Sequence, residues 1–456
     1  MQFLDKTHSI VIILFVFSYL IDIFFPCQVL ELTQFVLSLV LLMINFPFLK
    51  HANRYISISL LLVGTIILLY FDAGFDQWLK SINKNAGLVA FLATVPMLGF
   101  PLSYEDFQGA IKNKVSKYFN SPHNYYNITA FLTVTLSMLI NIACIPIIYH
   151  LVKKFKDKYP LSLFSKAVTR GFSTSIIWAP NAVSIAVVLP YLKIPWVKFF
   201  PGGLFFLFIT IIIIVYFEKI FNKADLKSED NIEEYIFEGA ADENSTYLVK
   251  KLSLMGIFIL SSVVLFEVFT GHSAVVAVPV VAVFAPLLIA LLWKKKNVYY
   301  NSLKNYYRIT LPSLKSQIVL FMLAGFFGQA LDISGAGKYL SDFIYNLNIQ
   351  QPVILICIFM YMIIILAIIG IHPVISVSTI LVTFPVSTLP LMPMQFVLTL
   401  TTAYSLGVLL SPISGTVLIT AGLTMQNPLN VGVGINWKYA FIATIFYIAL
   451  LSIFPF

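Results

Sequence analysis

The sequence is poor in charge and in long polar segments. Only 11% of its 456 residues are Asp, Glu, Lys or Arg, whereas 59% are hydrophobic. Soluble domains carry roughly a quarter charged residues, so this composition excludes an ordinary globular protein. It predicts an all-α polytopic membrane protein, because a helix satisfies its own backbone hydrogen bonds in lipid. The apolar segment 9–25 has no small-residue cleavage site after it and is predicted to be a retained first span.

Cysteine and the common catalytic motifs are also scarce. The three cysteines lie far apart within apolar segments, so neither a disulfide nor a metal site is predicted. The sequence contains no glycine-rich phosphate loop followed by Lys and Ser or Thr, no His-Glu-x-x-His, and no paired carboxylates within a span. These absences argue against an ATP-driven pump and count against an enzyme. No cofactor is predicted beyond Na⁺ or H⁺ as a coupling ion.

The net charge of +9 is explained by membrane orientation rather than by binding to nucleic acid, because the basic residues lie between apolar segments. They cluster in four stretches: 49–54, 104–126, 153–170 and 293–316. All four lie on the cytoplasmic side if the apolar segments 127–151 and 352–389 each enter and leave on the same side. This topology predicts a cytoplasmic N-terminus, an external C-terminus, two re-entrant hairpins and about 11 spans. The spans are placed at 9–25, 29–48, 55–71, 86–103, 163–189, 199–217, 251–271, 273–292, 317–332, 395–421 and 438–455.

Three short stretches of the first half recur in the second half in the same order. The matching pairs are Gly99-Phe100 with Gly325-Phe326, Ile142–Pro146 with Ile369–Pro373, and Phe172-Ser173 with Tyr404-Ser405, at offsets of 226, 227 and 232 residues. By the predicted topology the two repeats have opposite orientations, which is typical of secondary transporters. The expected domains are N-terminal scaffold spans (1–85), a first repeat (86–217), a cytoplasmic linker (218–250), scaffold spans with a basic loop (251–315) and a second repeat (316–456). Each repeat is expected to contain an amphipathic surface helix, at 104–119 and at 332–347.

Proline and small polar residues interrupt two of the predicted spans. Ala179-Pro-Asn-Ala-Val-Ser184 interrupts the span at 163–189, and Ser411-Pro-Ile-Ser-Gly-Thr416 interrupts the span at 395–421. Proline removes a backbone donor, and the groups freed in this way must face protein or a water-lined cavity. The exposed helix ends offer N–H groups to an anion and carbonyl groups to Na⁺ or a proton-bearing group. Substrate contact is therefore expected at Pro180, Asn181, Ser184, Ser411, Pro412, Ser414, Gly415 and Thr416.

Four ionisable residues near the spans allow more than one interpretation. His372 lies in the middle of a deep apolar segment, so it is either the carrier of a coupling proton or a neutral histidine bonded to a backbone carbonyl. Arg170 either attracts an anion or sets the topology. Glu267 is interpreted as a carboxylate that snorkels to the interface, and Asp332 as the start of the surface helix at 333–347.

Two runs, Val319–Leu340 and Tyr404–Leu423, carry a family resemblance. The chain resembles the ion transporter superfamily, and within it the divalent anion:sodium symporters, with citrate carriers and arsenite-type permeases as wider relatives. The resemblance covers the organisation of residues 30–456. It implies a homodimer with scaffold helices at the interface and an elevator-like transport domain that carries the hairpins.

The hairpin tips depart from the pattern of the symporters, which have Ser-Asn-Thr at each tip. Here the tips read Asn141-Ile-Ala-Cys-Ile-Pro146 and Gly370-Ile-His-Pro-Val-Ile-Ser376. Position by position, the resemblance adds Asn141 and Ser376 to the expected substrate-binding residues. It also places Ser378 beside His372 as an expected site for the coupling ion or proton.

These observations predict a secondary active transporter in the cell membrane, and not an enzyme. Its solute is expected to be small and anionic, such as a carboxylate, and its transport to be driven by Na⁺ or H⁺. The expected partners are the small-molecule substrate, the lipid bilayer and a second copy of the chain, but no nucleic acid. The alternative is a membrane enzyme or a protein handling a lipid-linked polymer on a transporter-like fold. The lack of an ionisable cluster at one membrane face counts against that alternative.

Overall fold

The computed structural model describes residues 2–49, 51–155, 159–221, 243–336, 339 and 351–454. Within these ranges the ordered elements are helices, without a strand. Eleven helical segments of the described chain are long and apolar enough to cross a membrane, so the prediction of an all-α polytopic protein is confirmed. Most of the predicted linker at 218–250 and of the surface helix at 332–347 lies outside the described residues.

The first half of the chain runs from the N-terminus to the end of the predicted first repeat. Its helices are α1 (Gln2–Phe24), α2 (Gln28–Asn45), α3 (His51–Tyr70), α4 (Phe75–Asn83), α5 (Ala86–Thr94), α6 (Phe107–Val115), α7 (Pro122–Ile140), α8 (Cys144–Val152), α9 (Leu161–Ile176), α10 (Val183–Tyr191) and α11 (Trp196–Phe221). Beyond α5 the chain continues as a 3₁₀-helix, Val95–Ser103, with Pro101 inside it. A proline in this position removes a backbone donor and favours the departure from regular α-helix.

The second half of the chain begins after the polar segment. Its helices are α12 (Glu243–Thr270), α13 (Ala274–Leu292), α14 (Lys296–Asn305), α15 (Leu311–Ser313), α16 (Lys315–Ile333), α17 (Pro352–Ile368), α18 (Pro373–Thr383), α19 (Pro393–Leu410), α20 (Gly415–Thr424) and α21 (Ile435–Ile453). Between α14 and α15, Tyr306–Thr310 forms a π-helical turn. A second π-turn, Asn430–Gly434, precedes α21.

The helices cover the predicted spans, with three differences. The short helices α4 and α14 are too polar to have been predicted from apolar length. The basic stretch at 153–170 contains the start of helix α9 at Leu161, two residues before the predicted start of the span at 163–189. Finally, the eleven long apolar segments include Pro122–Val152, predicted as a hairpin, and do not include the interrupted pair α9 and α10. That 127–151 and 352–389 re-enter the membrane therefore stays a prediction.

The two repeats pack against each other reciprocally. Helix α7 lies along α9, and the equivalent α17 lies along α19. Helix α8 contacts α20 of the other repeat, while the equivalent α18 contacts α10. The two interrupted helices, α9 and α19, also pack together. This exchange of contacts brings both interruptions and both predicted tips into the same central region of the protein.

Candidate functional site

Both predicted interruptions are gaps between helices. Helix α9 ends at Ile176 and α10 begins at Val183, while α19 ends at Leu410 and α20 begins at Gly415. Each gap leaves carbonyl groups at the end of one half-helix and N–H groups at the start of the next without their usual partners. Opposed helix ends of this kind attract cations to the first half and anions to the second.

The broken helices meet at equivalent residues of the two repeats. The Ser405 hydroxyl donates to the carbonyl oxygen of Ser173 at 2.6 Å. These residues are equivalent at the offset of 232, and both are buried. The contact therefore lies where the two repeats cross, about one to one and a half helical turns before each gap.

Two asparagine amides join the first predicted tip to the first gap. The backbone of Asn141 has a φ of 51°, which ends α7 and redirects the chain. Its side-chain amide donates to the carbonyl oxygen of Asn181 at 3.2 Å. In return the Asn181 amide, which is buried, donates to the Ser137 carbonyl oxygen at 3.3 Å. Asn141 and Asn181 are thus brought together, and they bind backbone groups of each other's segments.

The hydroxyl group of the first gap is satisfied within the broken helix itself. The buried Ser184 hydroxyl donates to the carbonyl oxygen of Ile176 at 2.6 Å, across the whole gap. Pro180 is also buried, within the turn that joins the two half-helices. The hydroxyl and amide side chains of the first gap are therefore all bonded to backbone groups, and the indole N–H of Trp178 is the side-chain group there that is buried without a partner in the described chain.

The second gap is different, because its hydroxyl groups are not all bonded to protein. Ser414 accepts a hydrogen bond from the backbone N–H of Val417 at 3.3 Å and so caps α20. The hydroxyls of Ser411 and Thr416 are buried and have no hydrogen-bond partner within the described chain. A buried hydroxyl left in this way costs about 1–3 kcal/mol unless something else binds it. Pro412, between them, is partly exposed.

The first tip also reaches the second gap. A Cβ atom added to Gly415 would lie 2.7 Å from Cδ1 of Ile142. Glycine therefore permits the close approach of the first tip to the start of α20. Consequently the tip formed by Asn141 and Ile142 lies between the two gaps, with one residue directed at each.

The second predicted tip packs on the broken helix of its own repeat. A Cβ atom added to Gly407 would lie 3.1 Å from Cγ of Pro373. The ring of the adjacent His372 lies 6.3 Å from that of Tyr404, between ring centroids, and its Nδ1 accepts a hydrogen bond from the N–H of Val374 at 3.3 Å. His372 thus caps α18, rather than bonding a carbonyl group.

Two serines follow on α18. The hydroxyl of Ser376 is buried without a hydrogen-bond partner in the described part of the chain, like those of Ser411 and Thr416. Ser378 is partly exposed. Three unpaired hydroxyls therefore belong to the second repeat's tip helix and gap.

The tips and gaps contain no Asp, Glu, Lys or Arg. They span residues 140–146, 177–184, 369–376 and 411–416, all within the described chain, and their titratable side chains are His372 and the thiol of Cys144. In the same described ranges no group of three His, Cys, Asp or Glu residues could hold a metal ion. The charges available to a ligand are the partial positive charges at the N-terminal ends of α8, α10, α18 and α20 and the partial negative charges at the facing carboxyl ends.

A buried ion-pair cluster on α9 corrects both interpretations of Arg170. Its guanidinium is fully buried and donates to Oε2 of Glu218 at 2.6 Å, while Nζ of Lys166 lies 2.8 Å from Oε1 of the same carboxylate. Further bonds join Arg170 to the Tyr126 hydroxyl at 3.0 Å and to Oδ1 of Asn436 at 2.9 Å. Arg170 therefore lies neither at a solvent-exposed mouth nor in a loop. The cluster fixes α9 to α7, α11 and α21.

Glu267 is also placed differently from the expectation. It is buried, and its two carboxylate oxygens accept hydrogen bonds from the N–H groups of Trp196 at 2.8 Å and Val197 at 3.1 Å. These are the first residues of α11, so Glu267 caps that helix and compensates the partial positive charge at its start. Snorkelling to the interface is thus wrong for this carboxylate. Asp332 accepts a hydrogen bond from Gln329 at 3.3 Å, and the surface helix that it was expected to start lies largely outside the described residues.

Comparison with known proteins supports the fold. No protein-family profile matches the chain, and no curated protein sequence matches it. The crystal structure of the Alcanivorax borkumensis YdaH transporter, reported as having an unusual topology, is similar with a TM-score of 0.52 and 12% sequence identity. The match covers 82% of this chain and 88% of that protein. The protein therefore has a multi-pass membrane fold that is also found in a transporter.

Proposed function

We propose that the protein is a secondary active transporter of a small organic anion such as a carboxylate. The observation that carries this proposal is the convergence of two broken helices and two tips around one region that contains unpaired buried hydroxyls. Broken helices at the interface of two repeats are the usual site of substrate and coupling ion in secondary transporters. The similarity to a solved transporter structure supports the same class.

The second gap is the proposed substrate half-site. Ser411 and Thr416 supply hydroxyls, and the start of α20 at Gly415 supplies backbone N–H groups with partial positive charge. Ser376 supplies a third unpaired hydroxyl from the second tip. An anion bound here is held by helix ends and hydroxyls rather than by an arginine or lysine. This favours a small solute whose carboxylate fits one helix terminus.

The first gap is proposed to support the site rather than to bind the solute. Asn181, Ser184 and Asn141 bond backbone groups, so their substitution acts on the shape of the site. Pro180 and Pro412 hold the two gaps open, because neither can continue a helix. Ser414 caps the half-helix whose N–H groups face the solute.

Sodium is the proposed coupling ion. Hydroxyl and carbonyl oxygens are ligands that suit a hard cation, and the second gap places the end of α19 beside Ser411. The tips and gaps hold no carboxylate to carry a proton. Nδ1 of His372, their one histidine, is occupied as a helix cap. Ser378, one turn along α18, is proposed to lie at the edge of the ion site.

The proposed transport movement is of the elevator type. The two re-entrant segments and the two broken helices form the moving unit, and the N-terminal and central spans (1–85 and 251–315) form the scaffold of a homodimer. The reciprocal contacts α8 with α20 and α18 with α10 support the moving unit, because they join the two repeats into one packed body. The proposed orientation keeps the N-terminus in the cytoplasm, as the basic stretches suggest.

Counterflow in proteoliposomes tests the function. The purified protein is reconstituted, the vesicles are loaded with one member of a panel of di- and tricarboxylates, and Na⁺ and pH gradients are imposed separately. Exchange above protein-free vesicles is expected for at least one solute, accelerated by an inward Na⁺ gradient and not by a pH gradient. Acceleration by the pH gradient alone would overturn the sodium assignment. Failure of every solute under both gradients would overturn the transport proposal and favour a membrane enzyme.

A further inference from the structure

A cavity whose lining includes no residue of the broken helices has both an apolar and a basic wall. Its volume is about 530 Å³, and it is bounded by α1, the end of α5, α13, α14 and the following π-turn. The apolar wall includes Ile13, Val16, Leu20 and Val283. The residues Ile12 to Leu20 that contribute from α1 extend along about 12 Å of helix. The cavity therefore follows the apolar middle of α1.

The π-turn at Tyr306–Thr310 builds the polar end of this cavity. Tyr306 turns inward, where its hydroxyl donates to the carbonyl oxygen of Ala93 at 2.6 Å. The carbonyl oxygen of Tyr307 accepts a hydrogen bond from Ser9 of α1 at 2.8 Å. Both bonds fix the turn against its neighbours and leave Arg308 exposed at the edge of the cavity. Single π-turns of this kind are frequent at functional sites.

Two cations at the edge have no acidic partner. Lys304 and Arg308 both line the cavity, and within the described chain neither lies within 4.0 Å of a carboxylate oxygen. The ordinary explanation is a pair of cations that snorkel to the interface. That explanation does not account for the second cavity beside them.

A second cavity, of about 320 Å³, shares Tyr307 and Arg308 with the first. Lys6 lines it and adds a third cation, while the Asp5 carboxylate beside it is paired with Lys315. A polar chamber and an apolar chamber are thus adjacent, and Arg308 belongs to the walls of both. A small polar solute matches only the polar chamber, and an uncharged hydrocarbon matches only the apolar chamber.

We propose that the paired cavities bind an anionic phospholipid of the surrounding membrane. The phosphate and headgroup lie against Arg308, Lys304 and Lys6, and an acyl chain follows the apolar wall of α1 and α13. Basic pockets between membrane helices, at the level of the headgroups, are typical sites for such lipids. The site is separate from the broken helices and does not depend on the proposed transport function.

Lipid titration of the delipidated full-length protein tests the proposal. Binding of phosphatidylglycerol and of phosphatidylcholine is measured by native mass spectrometry, for the unsubstituted protein and for the double variant Lys304→Gln/Arg308→Gln. Each basic residue near the membrane contributes about 1 kcal/mol of attraction, so the double variant is expected to bind phosphatidylglycerol roughly twenty- to thirty-fold more weakly. Its weak binding of phosphatidylcholine should be unchanged.

The matched control is Lys294→Gln/Lys296→Gln. These two exposed lysines lie in the same basic stretch and do not line either cavity. Their substitution removes the same charge as the double variant at Lys304 and Arg308. The control is expected to lose less than about threefold in phosphatidylglycerol binding, since its charges act only at a distance. Equal losses in both double variants would overturn the site, because the effect would then be one of net charge. Equal binding of the two lipids by the unsubstituted protein would overturn the choice of an anionic headgroup.

Discussion

The two broken helices share an architecture but differ in what holds them. The first is anchored by the buried Arg170–Glu218 ion pair, and its gap is closed by the Ser184 hydroxyl. The second has Thr402 at the position equivalent to Arg170, and its buried Ser411 and Thr416 hydroxyls lack a partner within the described chain. Unpaired buried groups destabilise a fold, and such groups are retained where they have a use. We infer that the first broken helix supports the site and that the second binds the ligand.

The largest expected effect concerns the ion pair that only the first broken helix has. Glu218→Gln leaves Lys166 and Arg170 without their carboxylate, and breaking a buried pair in this way costs about 3–5 kcal/mol. Unfolding of the purified protein by SDS titration in mixed micelles measures this loss. Thr402→Val, the equivalent change on the second broken helix, is expected to cost less than about 1 kcal/mol. Equal losses of stability in the two variants would contradict the inference that only the first broken helix is anchored in this way.

The approach of the first tip to the second gap gives the next largest effect. Gly415→Val is expected to reduce uptake by at least about tenfold, because its side chain would displace Ile142 and with it the tip. A Cβ atom added to Gly422, also on α20, meets no atom within 4 Å, so Gly422→Val is expected to leave uptake within about twofold. Combining Gly415→Val with Ile142→Ala should restore part of the activity. An active Gly415→Val variant would contradict the tip contact.

Two serine substitutions distinguish a residue that binds the ligand from one that stabilises the fold around the site. Ser411→Ala is expected to raise the KM for the transported solute by about tenfold while leaving stability without ligand unchanged or higher, since an unpaired hydroxyl is removed. Ser184→Ala is expected to leave KM unchanged but to lower stability by about 1–3 kcal/mol, since the Ile176 carbonyl group loses its donor. Uptake kinetics in proteoliposomes and SDS unfolding measure both quantities. The opposite pattern would exchange the roles of the two gaps.

The smallest expected effect is at His372. Asparagine can also accept the N–H of Val374, so His372→Asn should keep the cap on α18 and leave sodium-driven uptake within about threefold. His372→Phe loses the cap and is expected to cost about 1 kcal/mol of stability. Loss of coupling in the asparagine variant would make the histidine the carrier of a proton and overturn sodium coupling.

The spans and the gaps could be predicted from the sequence because their causes are local. Apolar length predicts helices such as α12 and α13, and proline beside small residues predicts the interruptions at Pro180 and Pro412. The partner of Arg170 could not be predicted, because Glu218 and Asn436 are brought to it only by tertiary packing. Glu267 was misinterpreted for the same reason, since it caps the start of a helix 70 residues earlier in the chain.

The difference between the two gaps could also not be predicted from the sequence. Ser184 and Thr416 occupy equivalent positions and both carry a hydroxyl. Only the Ser184 hydroxyl reaches back across its gap to the last carbonyl group of the preceding half-helix. Whether a hydroxyl can do so depends on the angle between the half-helices, which the residue types do not specify.

The claim that the first gap supports the site and the second gap binds the ligand is tested most directly with cysteines at the equivalent positions Ala179 and Ser411. Each is introduced alone into a variant without the three native cysteines, and its alkylation rate in proteoliposomes is measured with Na⁺ or with choline, and then with the transported carboxylate. Ligand at about ten times its dissociation constant should slow alkylation of Ser411→Cys about tenfold. Ala179→Cys should change by less than about twofold. Equal protection of both cysteines, or protection of Ala179→Cys alone, would contradict the assignment of the second gap as the ligand-binding one.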